Sequence, residues 1–316
     1  MIWLRRLAII LVLLILGFFL LVLPVGGSFL ITNSRFKFPE RGAHRPEDVG
    51  LRVENVEFKA QDGITLRGWW TAGKPGLPVI IFCHGLNRSR LELLERAGEA
   101  NKRGYGVLLF DLRNHGESDR AYTSLGILEA QDVAAASKLV RMKAPDAPQI
   151  LWGVSMGAAT ALLAVRDYGG FAGVISDSSF PSFRETIEHH VRLIFHIPAF
   201  PVANLMVWIT GKRLRIDPDS GNVEQAIRSF GNVPVLFIAG GADRRMSPGV
   251  AMRLYDANQS PLKQILVVPG ASHGEAFSAD RKLYLDTVFQ FLEAVTKSRA
   301  PVNDFLLPAA ERRQAP

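Results

Sequence analysis

From Val79 to Lys297 the chain alternates short, unbroken apolar runs with longer helical patterns, and this rhythm constrains the fold more than any other feature. The runs are Val79–Cys83, Val107–Leu112, Gln149–Gly153, Gly173–Asp177, Val235–Ala239 and Gln264–Val268, all rich in Val, Ile, Leu or Phe. A strand that is apolar at successive rather than alternate positions has to be buried on both faces. Between these runs lie helical patterns at Leu91–Arg103, Leu125–Met142, Met156–Asp167, Pro248–Asn258 and Arg281–Lys297. Strand and helix in strict alternation imply a parallel sheet covered by helices on both sides. Ahead of it, Val53–Ala60 and Ile64–Trp70 flank Gln61-Asp62-Gly63, a turn signal that predicts a hairpin.

The rhythm lapses once, between Phe180 and about Ser229. There the apolar residues Phe183, Ile187, Val191, Ile194, Phe195, Phe200, Met206, Val207 and Trp208 predict two apolar helices parted by Pro198 and Pro201. They form an insert after the sixth strand. With 316 residues, 48% of them apolar, the chain can bury one large core, so a single α/β domain with an insert suffices. The expected organisation is an N-terminal anchor over 1–31, a linker over 32–50, a catalytic domain over 51–298 with the insert at about 181–229, and a tail over 299–316.

Gly153-Val154-Ser155-Met156-Gly157 stands between the strand Gln149–Trp152 and the helical run Ala158–Leu163. This strand–turn–helix setting is what a G-x-S-x-G nucleophile elbow requires. The turn is too tight for side chains at the flanking positions, and it lifts the serine hydroxyl above the sheet. A helix starting there aims its first N–H groups at a developing oxyanion. A serine hydroxyl needs a base, and the base needs an orienting acid. Of the seven histidines, His273 alone follows the insert and the later strands, directly after Gln264–Val268. Asp243 holds the matching place after Val235–Ala239, completing the order Ser, Asp, His. Asp177, after Val174-Ile175-Ser176, is the rival acid and reads as a structural or pocket residue. His189, His190 and His196 carry no metal-ligand motif and read as surface or packing residues.

These residues resemble the α/β-hydrolase superfamily, most closely its lipase, esterase and serine-aminopeptidase-like branch. The resemblance spans about residues 50–298. Besides the elbow and the Asp243 and His273 loops, it rests on two blocks. Phe82-Cys83-His84-Gly85-Leu86 is similar to the family's His-Gly loop after the third strand. Phe110-Asp111-Leu112-Arg113-Asn114-His115-Gly116-Glu117-Ser118 is similar to its D-x-R-G-H-G-x-S block, with Asn114 where glycine is usual. The resemblance implies a mostly parallel eight-stranded sheet with helices on both faces and a helical cap after strand six. It implies that the backbone N–H groups of Leu86 and Met156 form the oxyanion hole, that His84 and His115 are structural, and that neither metal nor cofactor takes part.

At the N-terminus, Arg5-Arg6 precedes an apolar run from Leu7 to Leu23 that fades only near Ile31, long enough to cross a bilayer. An uncleaved anchor is preferred to a cleaved signal peptide, because the run is long and Val25-Gly26-Gly27-Ser28 is a poor cleavage site. Arg5-Arg6 favours a cytoplasmic N-terminus with the enzyme outside, while Arg35, Lys37, Arg41 and Arg45 pull the other way. Long domains translocate largely regardless of charge, so the outside placement is preferred. The net charge of +7 is dispersed with no basic run longer than a pair, which argues against nucleic acid as a partner. The single cysteine, Cys83, excludes an internal disulfide and reads as a small core residue.

Three functions follow. The first is hydrolysis of a small or lipid-like acyl ester, for which the apolar insert could supply an acyl pocket as well as packing. The second is peptidase, amidase or thioesterase chemistry on the same three residues. The third is a non-catalytic, membrane-tethered module, which a complete Ser-Asp-His set disfavours.

Overall fold

The computed structural model describes residues 2–33 and 42–298. Arg35, Lys37 and Arg41, and the tail expected over 299–316, lie outside the described residues. The hairpin expected around Gly63 is formed by β1 (Glu54–Lys59) and β2 (Thr65–Thr71), antiparallel with Lys59 opposite Thr65. Gly63 takes the left-handed conformation the turn demands, with φ 87°. Beyond it come β3 (Val79–Cys83), β4 (Gly106–Phe110), β5 (Gln149–Val154), β6 (Gly173–Asp177), β7 (Val235–Gly240) and β8 (Gln264–Val268). All eight share one sheet in the order β1-β2-β4-β3-β5-β6-β7-β8. From β4 through β8 every pairing is parallel, in keeping with the continuously apolar runs, of which only the edge strand β8 is partly exposed.

Successive strand residues feed the two faces in turn. Ile81, Phe110, Leu151 and Phe237 pack on one side with α4 (Glu129–Lys143), α5 (Met156–Tyr168), α8 (Val223–Ser229) and α9 (Pro248–Ala257). Ile80, Leu109, Trp152 and Ile238 pack on the other with α3 (Leu94–Lys102) and α11 (Arg281–Lys297), the short α10 (Ala276–Ala279) lying between β8 and α11. Helices thus cover both faces.

Two boundaries differ from the periodic pattern for identifiable reasons. The helix expected from Leu125 begins at Glu129, because Leu125 and Gly126 are left-handed. There Ser124 N–H, Ser124 Oγ and Gly126 N–H all donate to the Glu129 carboxylate, which holds the chain ahead of the helix in a non-helical path. The insert holds α6 (Phe183–Phe195) and α7 (Val202–Leu214), with Pro198 and Pro201 between them, and then α8. That third helix packs on α5 and α9, so it covers the sheet rather than extending the insert.

At the N-terminus, α1 (Ile2–Gly17) runs through a π-helical turn, Phe18–Val22, into α2 (Leu23–Thr32), making one 31-residue helix. Its first part is exposed throughout, whereas Leu23, Pro24, Ser28 and Thr32 are buried against the body. Within the stretch expected as a linker, Pro46–Val49 form a 3-10 turn whose Val49 lies against Gly98 of α3.

Candidate active site

The turn from β5 into α5 carries Ser155 in a conformation foreign to ordinary L-residues, with φ 52° and ψ −114°. Glycine on both sides makes that turn possible. A Cβ on Gly153 would overlap the Gly157 carbonyl, and one on Gly157 would overlap the Cys83 carbonyl. The Ser155 N–H donates to the Asp177 carbonyl oxygen at 2.8 Å, tying the turn to the end of β6.

The loops after β7 and β8 bring Asp243 and His273 to this turn. His273 Nε2 lies 2.8 Å from Ser155 Oγ, and His273 Nδ1 lies 2.7 Å from Asp243 Oδ2. A carboxylate can only accept, so Nδ1 carries the proton and Nε2 is left to accept from the serine hydroxyl. Asp243 is buried, and its Oδ1 accepts the N–H groups of Arg245 and Met246, each at 2.8 Å. Burial by itself would raise this carboxyl. The bond and charge of His273, with those two amides, outweigh burial and hold it below the usual carboxylate range.

The His-Gly loop after β3 faces the elbow, for a Cβ on Gly85 would sit 3.6 Å from Ser155 Cβ. Met156 opens α5, and the first N–H groups of a helix have no intrahelical acceptor. Among the described residues, no protein acceptor engages the N–H of either Leu86 or Met156.

Two buried histidines brace this loop. His84 Nε2 accepts the Leu112 N–H at 3.0 Å while Nδ1 donates to the Gly85 carbonyl. His115 Nε2 accepts the Asn87 N–H at 3.2 Å while Nδ1 donates to the Arg113 carbonyl. Burial holds both rings below the usual histidine range, so they serve as neutral struts. Asn114, the departure from the resemblance, has φ 65°, which asparagine tolerates better than most residues. Its amide donates to Thr123 Oγ1 at 3.2 Å and to the Thr32 carbonyl at 3.4 Å, joining the loop to the end of α2. Burial likewise pushes the Cys83 thiol up, leaving it an inert core residue.

Asp177 is not brought to His273. Its Oδ2 accepts from Tyr284 Oη at 3.0 Å and its Oδ1 from Ser178 Oγ at 2.9 Å. Ser178 Oγ in turn accepts the Gly274 N–H at 3.2 Å, so Asp177 steadies the loop that bears His273. Burial raises the Asp177 carboxyl, opposed by the charge of Arg96 and by the bonds from Ser178 and Tyr284. Sequence reading missed this bridge, and it missed Glu92, whose Oε2 accepts the Gly85 N–H at 2.6 Å. Neither carries a signal in the sequence, because each depends on where the folded chain sets a side chain against a backbone amide.

In the insert, His189 Nε2 donates to the Arg244 carbonyl at 3.0 Å, and Arg245 Nε lies 3.5 Å from His190 Nε2. These packing contacts clamp α6 to the Asp243 loop. The apolar residues of the insert divide: Phe183, Ile187, Val191, Met206 and Val207 are core, whereas Ile194, Phe195, Phe200 and Trp208 are exposed.

Residues 77–223 match the family described as "Serine aminopeptidase, S33". The chain is similar to the uncharacterized protein Rv2307c of Mycobacterium tuberculosis, 31% identical over 244 residues, covering 75% of this chain and 78% of that one. A shorter likeness, 37% identical over 112 residues, links it to a thiohydrolase of Aspergillus aculeatus, covering 34% of this chain and 35% of the relative. Among solved structures, an esterase of Pyrococcus furiosus has the same fold, with a TM-score of 0.67, 24% identity, and coverage of 84% of this chain and 98% of that one. On the family match, the relatives and the sheet with its helices, the chain belongs to the α/β-hydrolase superfamily.

Proposed function

We propose that the protein is a serine hydrolase that cleaves acyl esters through Ser155, His273 and Asp243. The relay from Ser155 Oγ through His273 to Asp243, with contacts of 2.8 and 2.7 Å, carries this reading. His273 Nε2 takes the hydroxyl proton as Ser155 Oγ attacks the acyl carbonyl. The tetrahedral oxyanion accepts from the N–H groups of Leu86 and Met156, each donor contributing about 3 kcal/mol to the transition state. Asp243 holds the imidazole in the required tautomer and balances its charge. Collapse breaks the acyl–oxygen bond, His273 protonates the departing alcohol, and water attacks the acyl enzyme to release acid and free serine.

The helix Ile2–Thr32 is read as an uncleaved anchor. In support, Leu23 and Pro24, which lie ahead of Val25–Ser28, are buried, so cleavage there would remove residues that pack on the enzyme body. Arg5-Arg6 ahead of it favours the catalytic domain on the outer side. The substrate is then an acyl ester met at a membrane. Thioesters form a second reading, favoured by the similarity to a thiohydrolase, and amides a third, favoured by the matched family's description.

The test is hydrolysis of matched oxygen esters, thioesters and aminoacyl anilides, with p-nitrophenyl esters of rising chain length, against Ser155→Ala. The expected outcome is ester turnover that falls by at least about 10⁴-fold in Ser155→Ala. Faster cleavage of anilides or thioesters would transfer the assignment to those classes. A sharp fall above the four-carbon ester would exclude a long-chain acyl substrate.

A further inference from the structure

Helices α2 and α7 pack side by side and run in the same direction. Gly27 lies against Met206, Ser28 Oγ accepts from Thr210 Oγ1 at 2.9 Å, and Arg213 Nη1 donates to Ser28 Oγ at 2.8 Å and Thr32 Oγ1 at 3.2 Å. With that register the further contact of α7 with the turn Phe18–Val22 falls at its first residues. The start of α7, and the loop leading into it, are therefore level with the apolar part of the N-terminal helix and not above it.

That loop is unusually apolar on its outside. From Leu193 to Gly211 there is no charged residue, and the stretch is bracketed by Arg192 on one side and Lys212-Arg213 on the other. Within it Ile194 is 60% exposed, Phe200 76% and Trp208 61%. Large apolar side chains so exposed mark an interaction surface where they cluster, as they do on this one stretch. On that register they are also ordered by depth along the anchor: Phe200 falls at the level of Phe18–Val22, Trp208 about two turns later past the level of Gly27, and Lys212 and Arg215 beyond it. Apolar tip, then tryptophan, then cations is the sequence met on passing from hydrocarbon through the interface to the headgroups.

We infer that the α6–α7 tip, Ile194, Phe195 and Phe200 with Trp208 above them, is a second membrane contact, sunk into the leaflet from which the anchor emerges. A span of about 20 residues starting at Leu7 ends near Gly26, which puts Phe200 roughly 9 Å below the hydrocarbon boundary. The occupant of the patch is lipid. The insert is thereby fixed against the membrane by two elements, α2 and the tip, and through its contacts with the Asp243 loop it holds the site near the leaflet. This inference rests on reading Ile2–Thr32 as an anchor.

The experiment uses the full-length chain in lipid nanodiscs. A single new cysteine carries an environment-sensitive fluorophore at Leu14 (L14C), Phe200 (F200C) or Lys282 (K282C), the buried Cys83 staying unlabelled. Quenching is measured with lipids spin-labelled along the acyl chain and with aqueous iodide. The expected result is strong quenching by lipid at Leu14 and Phe200, with at least a fivefold lower iodide quenching constant than at Lys282. Lipid quenching at Leu14 but not at Phe200 overturns this inference and spares the anchor. Should Phe200 be shielded from both quenchers, protein rather than lipid covers the patch, and the inference again fails. Without lipid quenching at Leu14 the anchor reading falls, and this one with it.

Discussion

His190 sits on α6 beside the Asp243 loop, with Nδ1 bonded to the Thr186 carbonyl at 2.8 Å and Arg245 near Nε2. Burial first, then the positive charge of Arg245, lowers its pKa to about 4 from an ordinary 6.5. Above pH 6.5 the ring is neutral in folded and unfolded chains alike, so it contributes nothing to pH dependence there. Between 6.5 and about 4 the unfolded chain takes a proton that the folded one refuses, so acidification erodes stability. His190→Gln should remove about 2 kcal/mol of the stability lost between about pH 7.5 and about pH 5, measured by denaturant unfolding. An acid-side slope identical to that of the wild type would refute the assignment. That Ser155, Asp243 and His273 would meet was legible in the sequence because each follows a strand in an order the fold enforces. What could not be read was the support around them. The Ser178–Gly274 bridge needs the approach of two distant loops, and the Glu92–Gly85 bond needs the path of the chain between β3 and α3, neither of which spacing encodes.

At the scale of elements, the apolar strands were readable to within a residue or two because continuous burial leaves a continuous pattern. Helix ends were less so, since bonds such as those from Ser124 and Gly126 to the Glu129 carboxylate override the periodicity around them. The N-terminal helix shows a further limit. Its apolar run reads as lipid-facing throughout, yet Leu23, Pro24, Ser28 and Thr32 face protein. Gly27 is part of the reason, for a Cβ there would crowd the Met206 methyl. Arg213 is the central tie: beyond its bonds to Ser28 and Thr32, its guanidinium lies 3.4 Å from the Phe29 ring centroid. Arg213→Met should lower stability by about 2 kcal/mol, combining lost hydrogen bonds with a lost cation–π contact. Adding Ser28→Ala should cost less in that background than in the wild type, giving a coupling of about 1 kcal/mol by thermal unfolding in nanodiscs. Strict additivity would mean that the two side chains do not share an interaction.

For the whole molecule, the parallel sheet sets every chemically relevant loop on one edge, the carboxyl ends of its central strands. Elbow, acid loop, histidine loop and His-Gly loop all leave that edge, and the insert bridges to it through His189 and His190. The N-terminal helix joins the same assembly through α7 and through Asn114, so that helix and the loops around Ser155 form one connected structure. The central claim is that this assembly activates Ser155 as a nucleophile. It is tested most directly by treating the full-length protein with a fluorophosphonate and locating the adduct by peptide mass spectrometry. A single adduct on Ser155 is expected, absent from Ser155→Ala and slowed by at least about 10³-fold in His273→Ala. A wild-type protein that never labels, or an adduct that persists in Ser155→Ala, would contradict it.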